Sequence, residues 1–311
     1  MPRQSRRTRP PFRTRDKARG ECMQNFDDVQ RAAAFLRKRL GPALSSQQWD
    51  APPVGLVLGT GFSGLAAKLA DQVVVPYAEV PGFPLSGVKG HAGAFVWGSF
   101  SASCGQGEGP CRPLLVQQGR CHLYEGYSPA QVCMGVRVMA ELGVRTLMVT
   151  NAAGALNPQF DAGGLMCMTD IINHTGQSPL TGKNREEWGE RFPDMSAPLD
   201  AGLSALALDA ARRLGVRLER GIYLGVHGPE LESPAQTRMY RQWGADAVGM
   251  SSVLEIIAAR HRGLRVLGLS CLTNKNLPDC MRPVSLEEVL DVAAKAEKNL
   301  ARLVRAVVSR L

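Results

Sequence analysis

Arg120 and His122 lie two residues apart in Gln118-Gly119-Arg120-Cys121-His122-Leu123-Tyr124-Glu125-Gly126-Tyr127, just past an apolar run. In an extended segment that spacing points both side chains the same way. The guanidinium is a planar fork for an oxyanion, and the imidazole adds a donor. His91 is flanked by glycines in Gly90-His91-Ala92-Gly93, which leaves its ring open to a ligand. Gly59-Thr60-Gly61-Phe62-Ser63-Gly64 follows an apolar strand pattern and opens a helix. Glycines there let backbone amides approach a phosphate at a helix N-terminus, and Thr60 adds a hydroxyl. The same six residues fit GxGxxG, and Glu79 stands 20 residues after Gly59, where a dinucleotide fingerprint expects a ribose-binding acid. A nicotinamide-dependent dehydrogenase is therefore a rival reading. Pro76 and the short intervening helix weigh against it and favour a loop for a single phosphate.

Four further loops carry polar groups at element ends. Thr150-Asn151-Ala152-Ala153-Gly154 closes a buried strand, where small residues leave room for a ligand and expose amides. Gly228-Pro229-Glu230-Leu231-Glu232-Ser233 precedes a helix. A carboxylate there suits a polar edge bearing N–H groups, such as a purine; taken alone, the loop reads first as charge favoured by the helix dipole. In Gly249-Met250-Ser251-Ser252, Ser251 is a helix cap or phosphate ligand and Met250 is core or pocket wall. Asn274 in Thr273-Asn274-Lys275 ends the last long apolar run, where an amide can both donate and accept at a heteroaromatic edge.

The elements that must hold these loops alternate strand and helix. An amphipathic helix is expected over 27–41, with Asp27 and Asp28 in its first turn and Gly41 past its end. Strands are expected at 54–59, 73–75, 94–97, 113–116, 145–154, 221–226, 247–249 and 264–272. Helices are expected from Ser128-Pro129 to Leu142, from Asp200 to Gly215, from Ser233-Pro234, from Ser252 to His261, and from Ser285 to about Arg310. Near-continuous apolar strands between helices predict an α/β chain: one three-layer α/β/α domain around a central mixed, largely parallel twisted sheet.

The chain has 311 residues, 44% hydrophobic and 21% charged, which excludes a wholly disordered, collagen-like or coiled-coil protein. No apolar run is long enough to span a membrane. Residues 1–20 hold seven Arg, one Lys and one Asp, which is +7 of the formal +9. The body therefore carries only +2 and offers no electrostatic case for nucleic acid. Residues 1–22 are expected to be a basic, disordered tail rather than an RNA-binding arm, ahead of a single domain over 23–311. The eight cysteines form no CxxC pair and no zinc spacing, and most read as small core residues. Cys104 and Cys111 flank a glycine-rich stretch and could approach each other. No export signal follows the arginines, so reduced thiols in the cytoplasm are the expectation.

Taken together, GLVLGTGFSGL, GHAG, QGRCHLYEGY, VTNAAGALNP, GPELES, GADAVGMSSVLEIIAARHRGLRV and LTNKN are more specific than any one of them. In this order the chain resembles the trimeric purine nucleoside phosphorylases that act mainly on 6-oxopurine nucleosides, from about residue 24 to 305. The resemblance implies phosphate contacts at Thr60, His91, Arg120, His122, Ala152 and Ser251. It implies a nucleoside pocket of Tyr124, Tyr223, Leu231, Glu232, Met250 and Asn274, with Glu232 at the purine N1–H edge and Asn274 at N7/O6. Asn274, Glu232 and His122 are the implied catalytic residues. It further implies reversible phosphorolysis to a free purine and (deoxy)ribose 1-phosphate, with phosphate as co-substrate, no metal or other cofactor, and a homotrimer. Methylthioadenosine phosphorylases, a related alternative, carry Ser and Asp where this chain has Glu232 and Asn274. Thr60 replaces a usual Ser, Leu231 a common Phe and Gly164 a usual Asp; Pro283 to Glu288 offer no match for the family's 5′-hydroxyl-binding His.

Overall fold

The computed structural model describes residues 15–44, 51–88, 92–100 and 112–311; His91, Cys104 and Cys111 lie outside them. The chain runs α1 (Arg15–Leu44), β1 (Val54–Leu58), α2 (Ser63–Ala66), β2 (Ala70–Pro76), β3 (Ala94–Ser99), β4 (Pro113–Gln118), α3 (Pro129–Val132), α4 (Met134–Glu141) and β5 (Thr146–Ala155). It continues with β6 (Leu165–Asn173), α5 (Ala201–Leu214), β7 (Leu218–Gly225), α6 (Pro234–Gln242), β8 (Ala247–Gly249), α7 (Val253–His261), β9 (Arg265–Lys275) and α8 (Leu286–Val308).

The sheet order is β2-β3-β4-β1-β5-β8-β7-β6-β9, and β9 also pairs with β5. Strands β1, β4, β5 and β9 are mutually parallel, so their carboxyl ends share one edge. The pairings β5-β8-β7-β6-β9-β5 close on themselves, so this half of the sheet curls into a ring. Helices flank the sheet as expected. One apolar layer joins Val29, Leu36, Val57, Met139, Leu147 and Ile256; the other joins Leu56, Leu58, Leu114, Met148, Leu267, Leu300 and Val304. Alternate residues of β1 face opposite layers, which is why the whole strand is apolar and buried.

Caps fall where the sequence puts them. Ser128, Asp200, Ser233 and Ser285 each accept a hydrogen bond from a backbone N–H in the first turn of their helices. Cys133 interrupts the helix expected from Ser128 to Leu142, splitting it into α3 and α4. Two other elements differ from expectation. Helix α1 starts at Arg15, twelve residues before Asp27, so residues 15–22 of the expected tail are helical; their Arg, Lys, Ala and Glu content favours helix without an amphipathic pattern. Strand β6 was not anticipated, because LMCMTDIIN mixes Met, Cys and acid in place of β-branched alternation. Cys121, Cys133, Cys167 and Cys271 are buried and Cys280 is exposed.

The GxGxxG loop does not open a dinucleotide fold. Helix α2 is one four-residue turn, and β2 joins the sheet antiparallel to β3. The Glu79 carboxylate is 2.9 Å from Arg39 of α1 at the surface. The loop is seated on α8: Gly61 has φ +87°, and a Cβ there would lie 2.6 Å from the Ala293 Cβ. Gly61→Ala should therefore destabilise the fold by about 1–3 kcal/mol, read by urea denaturation. An unchanged midpoint would mean that the loop is not held against α8.

Candidate active site

The carboxyl ends of β1, β4 and β5 meet around Arg120. Its guanidinium is 1% exposed. Nη1 donates to Glu255 Oε2 at 2.5 Å and to Ser252 Oγ at 3.2 Å, and Nη2 donates to the Thr150 carbonyl. Thr150 Oγ1 in turn donates to the Val57 carbonyl at 3.0 Å and accepts from the Gly59 amide at 3.2 Å. A Cβ at Gly59 would stand 2.8 Å from the Thr150 carbonyl and 3.1 Å from Arg120 Nη2, so glycine is required for this approach. Arg120 thus ties the glycine loop to the end of β5.

Strand β8 runs antiparallel to β5, with Ala247 opposite Ala155 and Val248 opposite Gly154. Its end therefore returns along β5 toward Asn151. There Asn151 Nδ2 donates to Ser252 Oγ at 2.8 Å, and the Ser251 amide lies 3.4 Å from the buried Tyr223 hydroxyl. Ser252 has φ +66°, a conformation costly for a side-chain-bearing residue. Glu255 holds it there: its Oε2 accepts from the Ser252 amide at 3.2 Å while also pairing with Arg120. Arg120, Met250, Ser251, Ser252 and Glu255 line one cavity of about 10 Å³, room for about one water.

His122 and Tyr124 form a second group. Their rings stack at 4.7 Å with 13° between planes. His122 Nδ1 is 3.0 Å from Glu125 Oε1, which also accepts from the His122 amide at 2.8 Å. Glu125 Oε2 accepts from the Gly87 amide at 2.8 Å, so this carboxylate bridges His122 to the loop that leads to His91. Burial opposes ionisation of Glu125, but the hydrogen bonds from His122 and Gly87 prevail and lower its pKa to about 2. An ionised carboxylate only accepts, so Nδ1 of His122 carries a hydrogen.

A third group stands at the ends of β9 and the loop before α6. Asn274 is half-buried, and its Oδ1 accepts from Thr273 Oγ1 at 3.1 Å. Glu232 Oε2 accepts from Asn276 Nδ2 at 2.6 Å. Burial raises the Glu232 pKa, and the Asn276 hydrogen bond pulls it the other way. Met250 connects this loop to the Arg120 group: a Cβ at Gly228 would lie 2.4 Å from its sulfur. Leu231, expected to wall the pocket, is 61% exposed. Ala152 lies against β8, its carbonyl 3.2 Å from where a Gly249 Cβ would stand.

Arg120, Ala152, Ser251, Met250 and Tyr223 are thus brought together where the ends of β4, β5, β7 and β8 meet; Thr60 follows Gly59 in the glycine loop. Glu255, Thr150, Asn151, Glu125 and Asn276 were not anticipated as functional. One of them was legible as spacing: Ser252 to Glu255 is a capping-box pattern. Among the described residues, no cluster of three or more His, Cys, Asp or Glu could hold a metal ion.

The fold is a mixed α/β sheet that gathers these polar groups at its strand and loop ends, and the comparisons supply its family. Residues 53–309 match the model of the phosphorylase superfamily. Purine nucleoside phosphorylase 1 of Bacillus subtilis is 43% identical over 284 residues, covering 91% of this chain and 98% of that protein. The Rattus norvegicus purine nucleoside phosphorylase is 42% identical over 286 residues, covering 90% and 93%. The Schistosoma mansoni enzyme, solved in complex with adenosine, superposes with a TM-score of 0.81 at 33% identity, covering 92% and 97%. The chain belongs to the purine nucleoside phosphorylase family of that superfamily.

Removing Glu255 leaves a buried guanidinium without its carboxylate counter-charge. Glu255→Leu should cost about 3–5 kcal/mol of stability at neutral pH, measured by urea denaturation. A loss below about 1 kcal/mol would show that the pair does not hold the site.

Proposed function

We propose that the enzyme catalyses reversible phosphorolysis of 6-oxopurine (deoxy)ribonucleosides, with inosine and guanosine as the first substrates to test and xanthosine as a third. The observation that carries this is that Met250 lines the cavity at the buried Arg120 guanidinium and also stands against Gly228, at the start of the loop that bears Glu232. In this reading Thr60, His91, Arg120, His122, the Ala152 amide and Ser251 hold phosphate. Tyr124, Tyr223, Leu231 and Met250 surround the sugar and base.

The chemistry follows from that placement. The C1′–N9 bond loosens and the sugar takes on oxocarbenium character. Its electron pair passes to the purine, whose negative charge grows toward N7. Asn274 donates there, and the interaction strengthens as the charge develops. Glu232, ionised, accepts the N1–H of a 6-oxopurine; a 6-aminopurine presents a lone pair at N1 and is repelled. A phosphate oxygen then bonds to C1′. His122, with Nδ1 fixed on Glu125, turns Nε2 toward that phosphate. The departing purine anion takes up the proton that hydrogen phosphate loses on becoming the sugar 1-phosphate, so the equation balances with phosphate as nucleophile and the proposal requires no metal or organic cofactor.

The family association supports a homotrimer. On this chain Phe192 is 85% exposed beside a groove of about 600 Å³ lined by Ile171, Leu180, Pro193, Met195 and Ile257. A second copy suits that apolar surface. No described helix is long and apolar enough to cross a membrane. We place the enzyme in the cytoplasm, with its thiols reduced.

Base release from inosine, guanosine, xanthosine and adenosine, with and without phosphate, tests this. Release should require phosphate and favour the 6-oxopurines. Asn274→Ala should lower kcat on inosine about 100-fold or more. Release without phosphate, or an unaffected Asn274→Ala variant, would overturn the assignment.

A further inference from the structure

Asn276 lies two residues beyond Asn274 and is 5% exposed. Its backbone amide donates to the Ala155 carbonyl at 2.7 Å, which fixes the end of β9 on β5. A Cβ built on Gly154 would stand 3.2 Å from Asn276 Nδ2 and 3.3 Å from Asn274 Nδ2. The two carboxamides therefore converge over one open glycine position. Asn276 Nδ2 reaches from there to Glu232 Oε2 at 2.6 Å. The carboxylate assigned to the N1–H edge is thus tied to the strand that carries the amide assigned to the N7/O6 edge.

We propose that Asn276 is the positioning residue that sets base selectivity: it holds one oxygen of Glu232 and so presents the other to a purine N1–H. The inference rests on the base assignment under Proposed function and adds a residue to it. A free carboxylate on a loop can rotate and take up either a donor or, once protonated, an acceptor. One fixed by a short amide hydrogen bond stays an acceptor, which discriminates against bases with a lone pair at N1. Gly154 makes room for the second amide, and only an unbranched gap in β5 allows both amides on one face.

The groups acting on Glu232 are few. Burial raises its pKa, its own backbone amide and the Asn276 amide lower it, and Glu230 on the same loop raises it; the Tyr240 hydroxyl of α6 also feels its charge. Loss of the amide should therefore shift the acid limb of kcat/KM upward as well as weaken base binding.

The test is steady-state phosphorolysis of inosine and adenosine at fixed, saturating phosphate, from about pH 5 to about pH 9. It compares the parent with Asn276→Leu, which keeps size without the donor, and with Asn276→Asp. For Asn276→Leu we expect an inosine KM raised about tenfold, a smaller change in kcat, an inosine-to-adenosine preference reduced about tenfold, and an acid limb at higher pH. Asn276→Asp puts two carboxyls at hydrogen-bond distance, so they share a proton and the limb moves further up. A variant pair with parental KM, selectivity and acid limb overturns the inference, and so does a loss confined to kcat or to thermal stability. If the parent itself shows no preference for inosine, the base assignment has failed and the inference falls with it.

Discussion

A guanidinium taken out of water costs several kcal/mol unless its charge and its N–H groups are answered. Arg120 is answered from distant parts of the chain: Thr150 at the end of β5, and Ser252 and Glu255 at the start of α7. None of these partners can move without exposing or orphaning the charge. The ion pair therefore fixes where the glycine loop, the β5 loop and the Ser251 loop stand relative to one another. The φ of +66° at Ser252 is the local cost of that arrangement, held by the hydrogen bonds from Asn151 and to Glu255.

Sheet topology decides which loops can reach this centre. The parallel strands β1, β4, β5 and β9 deliver their loops to one edge, the usual place for a ligand in such sheets. The short antiparallel β8 is what brings Met250 and Ser251 back to Ala152, instead of leaving them at the far end. Curling of β6 to β9 around β5 then carries the Glu232 loop and the Asn274 strand end to the same side. The Arg120 and Glu232 groups are thus linked through Met250, which stands against Gly228.

Much of this was legible in the residues. Capping serines and prolines marked most helix starts, and apolar runs marked most strands. The loop motifs singled out Arg120, His122, Glu232 and Asn274, and the structure sets all four at strand and loop ends. The residues that escaped notice support other residues rather than facing a ligand. Glu255 lies in a helix and looked like ordinary first-turn charge; only its burial against Arg120 distinguishes it. Glu125 and Asn276 act through His122 and Glu232, across separations of 3 and 44 residues, and the longer pairing has no sequence signal. Strand β6 hid behind its methionines, and the first helix ran past its amphipathic pattern on propensity alone. The GxGxxG match illustrates the reverse error: the local pattern was present, but the four-residue α2 and the antiparallel β2 give it a different setting.

The central claim is that a phosphate held at Arg120 forms the new bond to C1′. Isotope transfer tests this most directly: inosine is turned over in ordinary water with phosphate labelled at every oxygen with oxygen-18, and the sugar product is weighed. The account predicts a sugar 1-phosphate that retains the full label, with its bridging oxygen drawn from phosphate. Free ribose carrying a water oxygen at C1′ would contradict it and make the enzyme a hydrolase.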